Sequence, residues 1–209
     1  MQGEMDRALS TVLRSTVSTV GAGRTDAGVH ATGQVVSFAF GGDVPDDLDR
    51  RVTALCRPDL SVLSVAVEVD GFHARFSARW RRYRYLILNR AAPDPLRRLV
   101  AWHVPEPLPV EAMSANGQAA VGEHDFASFC RVPEGGHAVR RVDSVTVDKA
   151  GDEVRVVVVG ESFCHQMVRS LVGTLVAGID VAQALGARSR AAAGPVAPPH
   201  GLCLEEVSY

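Results

Sequence analysis

The stretch Gly21-Ala22-Gly23-Arg24-Thr25-Asp26-Ala27-Gly28-Val29-His30 decides how this chain folds, because a strand rather than a helix stands on its C-terminal side. The next apolar run, Gln34-Val35-Val36-Ser37-Phe38-Ala39-Phe40, carries that strand pattern. A glycine-rich loop that cradles a dinucleotide leads into a helix and carries a third glycine; here Asp26 stands in that glycine's place, where it would repel a pyrophosphate. The loop therefore does not open a doubly wound nucleotide fold. Gly21, Gly23 and Gly28 give the backbone freedom to turn tightly and to approach a ligand closely. Asp26 sits among them as a single acid beside Arg24, which suits a nucleophile or a charged partner better than a metal cage. Alone, such an aspartate could equally be a turn-stabilising residue.

Working outward, the elements do not alternate as regular β-α-β units. Residues 4–13 read as an amphipathic helix with Met5, Leu9, Val12 and Leu13 on one side. Residues 17–20 read as a short strand entering the glycine-rich loop, 34–40 as a strand leaving it, 47–56 as a helix and 61–69 as a strand. Residues 82–89 alternate cleanly, with Tyr83, Tyr85 and Ile87 on one face and Arg84, Leu86 and Leu88 on the other. Pro93, Pro95, Pro105, Pro107 and Pro109 punctuate a lobe boundary or crossover. Then come a helix over 110–121, a hairpin over 141–159 turning at Lys149-Ala150-Gly151-Asp152, and a long helical pattern over 163–179. In the last, Phe163, Met167, Leu171 and Leu175 share one face, and His165, Arg169 and Gly173 form another stripe. A small-residue and proline linker over 191–199 precedes a final strand at 202–207. This order predicts an α+β fold with antiparallel or mixed sheets.

Composition narrows the class. The 209 residues are 46% hydrophobic and 22% charged, ordinary for a globular protein able to bury a core. No apolar run reaches membrane-spanning length and the start has no signal-peptide character, so a cytoplasmic location is expected. Cys56, Cys130, Cys164 and Cys203 are too scattered for a zinc or redox motif. His73, His124 and His165 are read as structural or surface histidines rather than metal ligands, and Glu123 and Asp125 as loop-shaping acids. No metal and no cofactor are expected. The net charge of −2 carries no global nucleic-acid signal, but Arg75, Arg79, Arg81, Arg82 and Arg84 cluster with Phe76, Trp80, Tyr83 and Tyr85. That mixture suits phosphate contacts combined with base stacking, although a solvated basic strand would look the same.

The loop Gly23-Arg24-Thr25-Asp26-Ala27-Gly28-Val29-His30-Ala31, continuing to Gly33-Gln34-Val35, resembles the active-site motif of the tRNA pseudouridine synthase A family. Further matches run in the family's order. They are Gly71-Phe72-His73-Ala74-Arg75-Phe76-Ser77-Ala78, then Arg82-Tyr83-Arg84-Tyr85, then Gly122-Glu123-His124-Asp125-Phe126-Ala127-Ser128-Phe129. Phe163-Cys164-His165-Gln166-Met167-Val168-Arg169-Ser170-Leu171-Val172-Gly173 and Gly201-Leu202-Cys203-Leu204 complete the set, so the resemblance covers nearly the whole chain.

The resemblance implies the pseudouridine synthase fold: two ferredoxin-like (RRM-like) halves with antiparallel or mixed sheets and flanking helices, here 1–92 and 93–209. It implies an isomerase that converts uridines in the anticodon stem-loop of tRNA to pseudouridine without a cofactor, by breaking the N-glycosidic bond, turning the uracil and rejoining it through carbon. Asp26 matches the essential aspartate, whether it attacks the base, the sugar or promotes a glycal route. Tyr83 matches the tyrosine that packs on the target base, Arg24 the arginine that holds the flipped-out nucleotide, and Arg169 the arginine that pairs with the aspartate. Arg75 and Arg82 are further candidate RNA contacts. A homodimer is expected, with no membrane and no DNA partner.

The residues read alone are compatible with these roles. A nucleophilic carboxylate must be ionised, and a neighbouring guanidinium favours the charged form. Chemistry on a base takes it out of the stack, so an aromatic face such as Tyr83 must replace the lost stacking. Tyr85, on the same face, competes for that role, and Arg169 could be a solvated helix arginine.

The chain departs from the family at its start, within the family's first helix, so the strand that precedes that helix is expected to be missing and neighbouring backbone groups to lie unpaired. An impaired or inactive tRNA-binding module is therefore an alternative, and a small-molecule enzyme using Asp26 with Arg24 on a nucleotide a more distant one. Residues 52–58 lack an asparagine the family tends to carry, and 176–187 are shorter than usual.

Overall fold

A computed structural model describes residues 1–131 and 136–209. The chain divides into two compact units, one made of Met1–Arg24 with Val35–Ala78, the other of Thr25–Gln34 with Arg79–Tyr209. The division does not fall at 92/93: residues 25–34, which carry Asp26, and residues 79–92 both belong to the second unit.

The first unit is built on α1 (Gln2–Leu13) and α2 (Leu48–Cys56), close to the helices expected from their apolar spacing. Met5, Ala8 and Leu9 of α1 bury against Leu48, Val52 and Cys56 of α2, with Val17 closing the cluster. Its sheet is small: β1 (Val20–Gly21) pairs antiparallel with β3 (Val36–Ser37). The strand expected over 34–40 is thus cut to two residues, because β1 offers only two partners, with one further bond from Ala22 N–H to the Val35 carbonyl at 2.8 Å. The strand expected over 61–69 does not form. Among the described residues no segment pairs with it; Val62 is held by the Thr53 hydroxyl instead, and Leu63, Val67 and Val69 are 80%, 84% and 77% exposed. Alternation alone does not make a strand when no ladder partner lies alongside.

The second unit carries, among the described residues, a seven-stranded mixed sheet. Its strands are β2 (His30–Ala31), β4 (Trp80–Asn89), β5 (Trp102–Val104), β6 (Gly122–Asp125), β7 (Val139–Ala150), β8 (Glu153–Gly160) and β9 (Leu202–Ser208). The order is β2-β9-β4-β8-β7-β6, with β5 parallel to the far end of β4. The β7–β8 hairpin turns at Gly151, whose φ of +62° suits glycine. The proline-bearing segment after β4 is the crossover that a parallel β4–β5 pair requires. Glu123 and Asp125, expected in a loop, lie on β6, whose partner β7 is remote in sequence. Among the described residues three α-helices flank the sheet: α3 (Val110–Gly117), α4 (Met167–Val176) and α5 (Val181–Ala187).

The core lies between one face of the sheet and these helices. Tyr83, Tyr85 and Ile87 of β4 meet Val154, Val156 and Val158 of β8 and Met167, Val168, Leu171, Val172 and Leu175 of α4. The helix expected over 163–179 starts only at Met167. Gln166 takes a left-handed conformation (φ +64°), which no continuing α-helix accommodates, so residues 163–166 stay outside α4 and Met167 N–H closes a turn on the Cys164 carbonyl at 3.1 Å.

Candidate active site

Asp26 is presented by the 25–34 segment, which docks on the sheet edge through backbone pairing. β2 runs parallel to β9, with His30 opposite Cys203 and Ala31 opposite Leu204, and Thr32 N–H reaches the Leu204 carbonyl at 2.9 Å. Between Asp26 and β2 the chain makes a tight turn in which Val29 N–H donates to the Asp26 carbonyl at 3.0 Å. Gly28 there adopts φ +83°, a left-handed value that glycine tolerates without strain. The turn leaves the Asp26 carboxylate 22% exposed: half-sheltered, but reachable.

Arg169 meets that carboxylate from α4. Its Nη1 donates to Asp26 Oδ2 at 2.6 Å, and its side chain is 11% exposed. Nε donates to the Ala197 carbonyl at 2.8 Å, while Ala197 N–H returns a bond to the Arg169 carbonyl at 3.1 Å. The guanidinium is therefore clamped on both sides. The clamp depends on Gly173, one turn along α4, where the Pro195 carbonyl occupies the space any Cβ would need. A larger residue would push the 195–197 strap off the helix. Arg169 is thus sheltered and paired rather than solvated, and the glycine in its stripe finds its reason.

His165, read from sequence as a structural or surface residue, faces the acid: its Nε2 lies 3.1 Å from Asp26 Oδ1, and its side chain is 57% exposed. Asp26 thus has a sheltered cation on one oxygen and an exposed imidazole on the other. The i, i+4 spacing with Arg169 was the signal for this. It arises without a shared helix, since His165 stands in the turn before α4.

Tyr83 and Tyr85 separate clearly. Tyr85 is wholly buried and its hydroxyl donates to the Pro198 carbonyl at 2.7 Å. Tyr83, at 7% exposure, meets the Phe163 ring edge-on with centroids 5.2 Å apart. Burial pushes the Tyr83 phenol up to about 12; the Arg81 guanidinium opposes this and the nearby Asp26 carboxylate adds to it. The phenol therefore stays protonated at neutral pH, within electrostatic reach of Asp26.

Arg81, not singled out from sequence, shares the Tyr83 face of β4; it is 7% exposed and donates to the Glu161 carbonyl. Arg82 falls on the opposite face of β4. It is half-exposed and sits 3.8 Å from Glu205, which also accepts from Arg84 Nε. A β9 bulge places Glu205 there: the register jumps from Arg82↔Glu206 to Tyr83↔Leu204. Asp26, Arg169 and Tyr83 are thus brought together and Arg82 is not.

Arg24 and Arg75 belong to the first unit. Arg24 is exposed, and Arg75 lies over the Phe76 ring at 5.6 Å, a ring that also stacks on His73. His73 Nδ1 accepts from Arg75 and Phe76 N–H and so holds a local turn. Among the described residues no group of acids, histidines and cysteines is arranged to hold a metal ion, and no helix is long and apolar enough to cross a membrane.

The geometry can be set beside known proteins. A family model described as tRNA pseudouridine synthase matches residues 118–209. A protein named tRNA pseudouridine synthase A from Caulobacter sp. (strain K31) is 42% identical over 222 residues, spanning 100% of this chain and 88% of its own length. One from Parvibaculum lavamentivorans is 47% identical over 199 residues, spanning 90% of this chain and 81% of its own length. One from Brevibacillus brevis is 42% identical over 218 residues, spanning 100% and 89%.

Proposed function

The chain belongs to the tRNA pseudouridine synthase A family, and from that premise we propose that Asp26 is its reacting carboxylate, with Arg169 and His165 positioning it. The reaction is an isomerisation of uridine in tRNA. The glycosidic bond leaves nitrogen and re-forms at carbon of the same base, so nothing is added or removed and the balance calls for no cofactor.

The observation that carries the assignment is the 2.6 Å bond between the sheltered Arg169 and Asp26. It holds the carboxylate in one orientation and aims it, which suits a group that acts on a substrate. A non-catalytic tRNA-binding module would have no use for a carboxylate clamped in this way. Tyr83 supplies the aromatic face that replaces stacking lost when the uridine is flipped out. Its protonated phenol is available for proton transfer while the uracil turns.

The proposed substrate is the anticodon stem-loop. Arg24, two residues before Asp26, is assigned to hold the flipped nucleotide, and Arg75 and Arg82 to phosphate contacts. A homodimer is the proposed assembly, because an elongated RNA needs more surface than one chain of this size offers.

Transfer RNA labelled with tritium at carbon 5 of uridine tests the central assignment, since forming the new bond at that carbon releases the label. Asp26→Ala and Asp26→Asn are expected to lower release by at least about 10⁴-fold, the scale of losing a nucleophile, while tRNA binding persists. Near-normal release from Asp26→Ala would remove Asp26 from the chemistry.

A further inference from the structure

The two oxygens of Asp26 are held unequally. Oδ2 accepts from Arg169 at 2.6 Å, and that guanidinium is 11% exposed and also tied to the Ala197 carbonyl. Oδ1 faces His165 Nε2 at 3.1 Å, and that imidazole is 57% exposed. Oδ1 is therefore the oxygen a uridine can reach, and His165 is the side chain the uridine meets beside it. Two lone pairs would repel at this distance, so the contact needs a proton between them. Because a nucleophilic carboxylate is ionised, Nε2 carries that proton.

We infer that His165 is the acid–base catalyst of the isomerisation: its imidazolium gives a proton to nitrogen 1 of the turned uracil, and the imidazole left behind takes the proton from carbon 5. This rests on the tRNA pseudouridine synthase reading and adds the group that completes its chemistry.

The reaction needs such a group. Joining the uracil to the sugar through carbon 5 leaves that carbon holding both the sugar and its own hydrogen, with nitrogen 1 double-bonded to carbon 6. The product has no hydrogen on carbon 5 and one on nitrogen 1. In the first step the nitrogen 1 lone pair takes the Nε2 proton; an N–H bond forms on the base and the Nε2–H bond breaks. The ring is then cationic and its carbon 5 proton acidic. In the second step the Nε2 lone pair takes that proton. The C–H pair becomes the double bond between carbons 5 and 6, and the pair between carbon 6 and nitrogen 1 returns to nitrogen. The imidazolium is restored, and no proton is drawn from solvent or left in it.

The geometry places Nε2 where both atoms come. Carbon 5 and nitrogen 1 flank carbon 6, and the sugar carbon bonds one of them before the isomerisation and the other after it. Whether Oδ1 attacks carbon 6 or the sugar carbon, both atoms lie next to the atom it attacks. An imidazole 3.1 Å from Oδ1 is within reach of them, and its exposure leaves it room to turn from the oxygen to the ring. Neighbouring groups cannot replace it. The Tyr83 phenol, pushed up to about 12 by burial, stays protonated at neutral pH and cannot take a proton. A guanidinium such as Arg169 does not give one up. Imidazole does both near neutral pH.

The test separates proton transfer from positioning. His165→Gln keeps an N–H for Asp26 Oδ1 but has no proton to exchange. The full-length variant and parent are compared in single turnovers on tRNA carrying hydrogen or deuterium at carbon 5 of its uridines, with tRNA binding measured alongside. The rate for His165→Gln is expected to fall about 10²- to 10⁴-fold, the usual worth of acid–base catalysis, while tRNA binding persists. Deuterium should slow the variant more than the parent, because removal of the carbon 5 hydrogen then limits the rate. His165→Ala should be as slow as His165→Gln.

Turnover of His165→Gln at the parent rate would show that Oδ1 needs only a hydrogen bond. A slow variant with no larger isotope effect than the parent would place His165 outside the proton transfer. Either result overturns the inference, and in both the parent still forms pseudouridine. Failure of the family reading looks different: the parent itself would form none.

Discussion

The two faces of β4 are made by the same ten residues and do different work. On one face Tyr83, Tyr85 and Ile87 sink into the core and Arg81 is buried beside them. On the other, Arg82 and Arg84 stay in partial contact with solvent and share Glu205 of β9. The first face joins the site to the core: Tyr83 is packed against Phe163 and lies in the field of Asp26. The second is a charge pair on a solvated surface. An interaction's worth here depends on whether water can replace it. The buried face should therefore set both stability and rate, and the open face should add little to stability.

That contrast can be broken at several depths. The largest effect is expected where the buried side meets the acid. Arg169→Ala removes both the bond to Asp26 and the anchor to the Ala197 carbonyl, and kcat/KM should fall at least about 10²-fold, roughly 2.7 kcal/mol. Arg169→Lys should recover only part of it, because an ammonium has the charge but not the planar fork that spans two acceptors. Equal rates for the two variants would mean that charge alone matters and that the clamp is irrelevant.

Next comes the tyrosine pair. Tyr83→Leu is expected to lower kcat/KM by about 10- to 10²-fold, the 1–3 kcal/mol that stacking a base is worth. Tyr85→Phe should leave turnover unchanged and lower stability by about 1 kcal/mol, since it deletes one buried hydrogen bond to the Pro198 carbonyl. Denaturant unfolding and tritium release on both variants separate the roles. Equal rate losses would show that the inner face does not distinguish the two rings.

The smallest effect belongs to the open face. Arg84→Ala should cost no more than about 1 kcal/mol of stability, and the difference from the parent should shrink with added salt. A larger, salt-insensitive loss would show that the Glu205 bulge, rather than the charge pair, is what Arg84 supports.

Much of this is legible in the amino-acid sequence. The helices at 4–13 and 47–56, the strand at 82–89, the hairpin after residue 140 and the last strand all follow from period and turn chemistry, and all are present. Asp26 and Arg169 are legible as a pair through motif resemblance, although 143 positions separate them. His165 is visible as part of the Arg169 stripe, but a histidine at i−4 has no assigned partner until a distant loop is folded against it. Arg81 is one arginine among five, and its burial depends on where the Glu161 carbonyl comes to rest.

The misses share one cause. Residues 61–69 alternate as well as many true strands do, yet remain unpaired, while β2, β5 and β6 carry little strand signal of their own and exist because β9, β4 and β7 lie alongside. Strands are two-body objects: a sequence states the willingness of one partner, and hydrogen-bonding requires the other. Helices close their bonds within themselves, which is why they are read more surely.

The amino-acid sequence by itself determined the α+β class, the apolar faces, the acid in its glycine-rich loop and the family to which they belong. Only the tertiary structure decided that Tyr83 lies within electrostatic reach of that acid while Tyr85 is tied to the Pro198 carbonyl, and that His165 flanks the acid opposite Arg169. Those facts rest on contacts between segments whose separation along the chain carries no information about their distance in space.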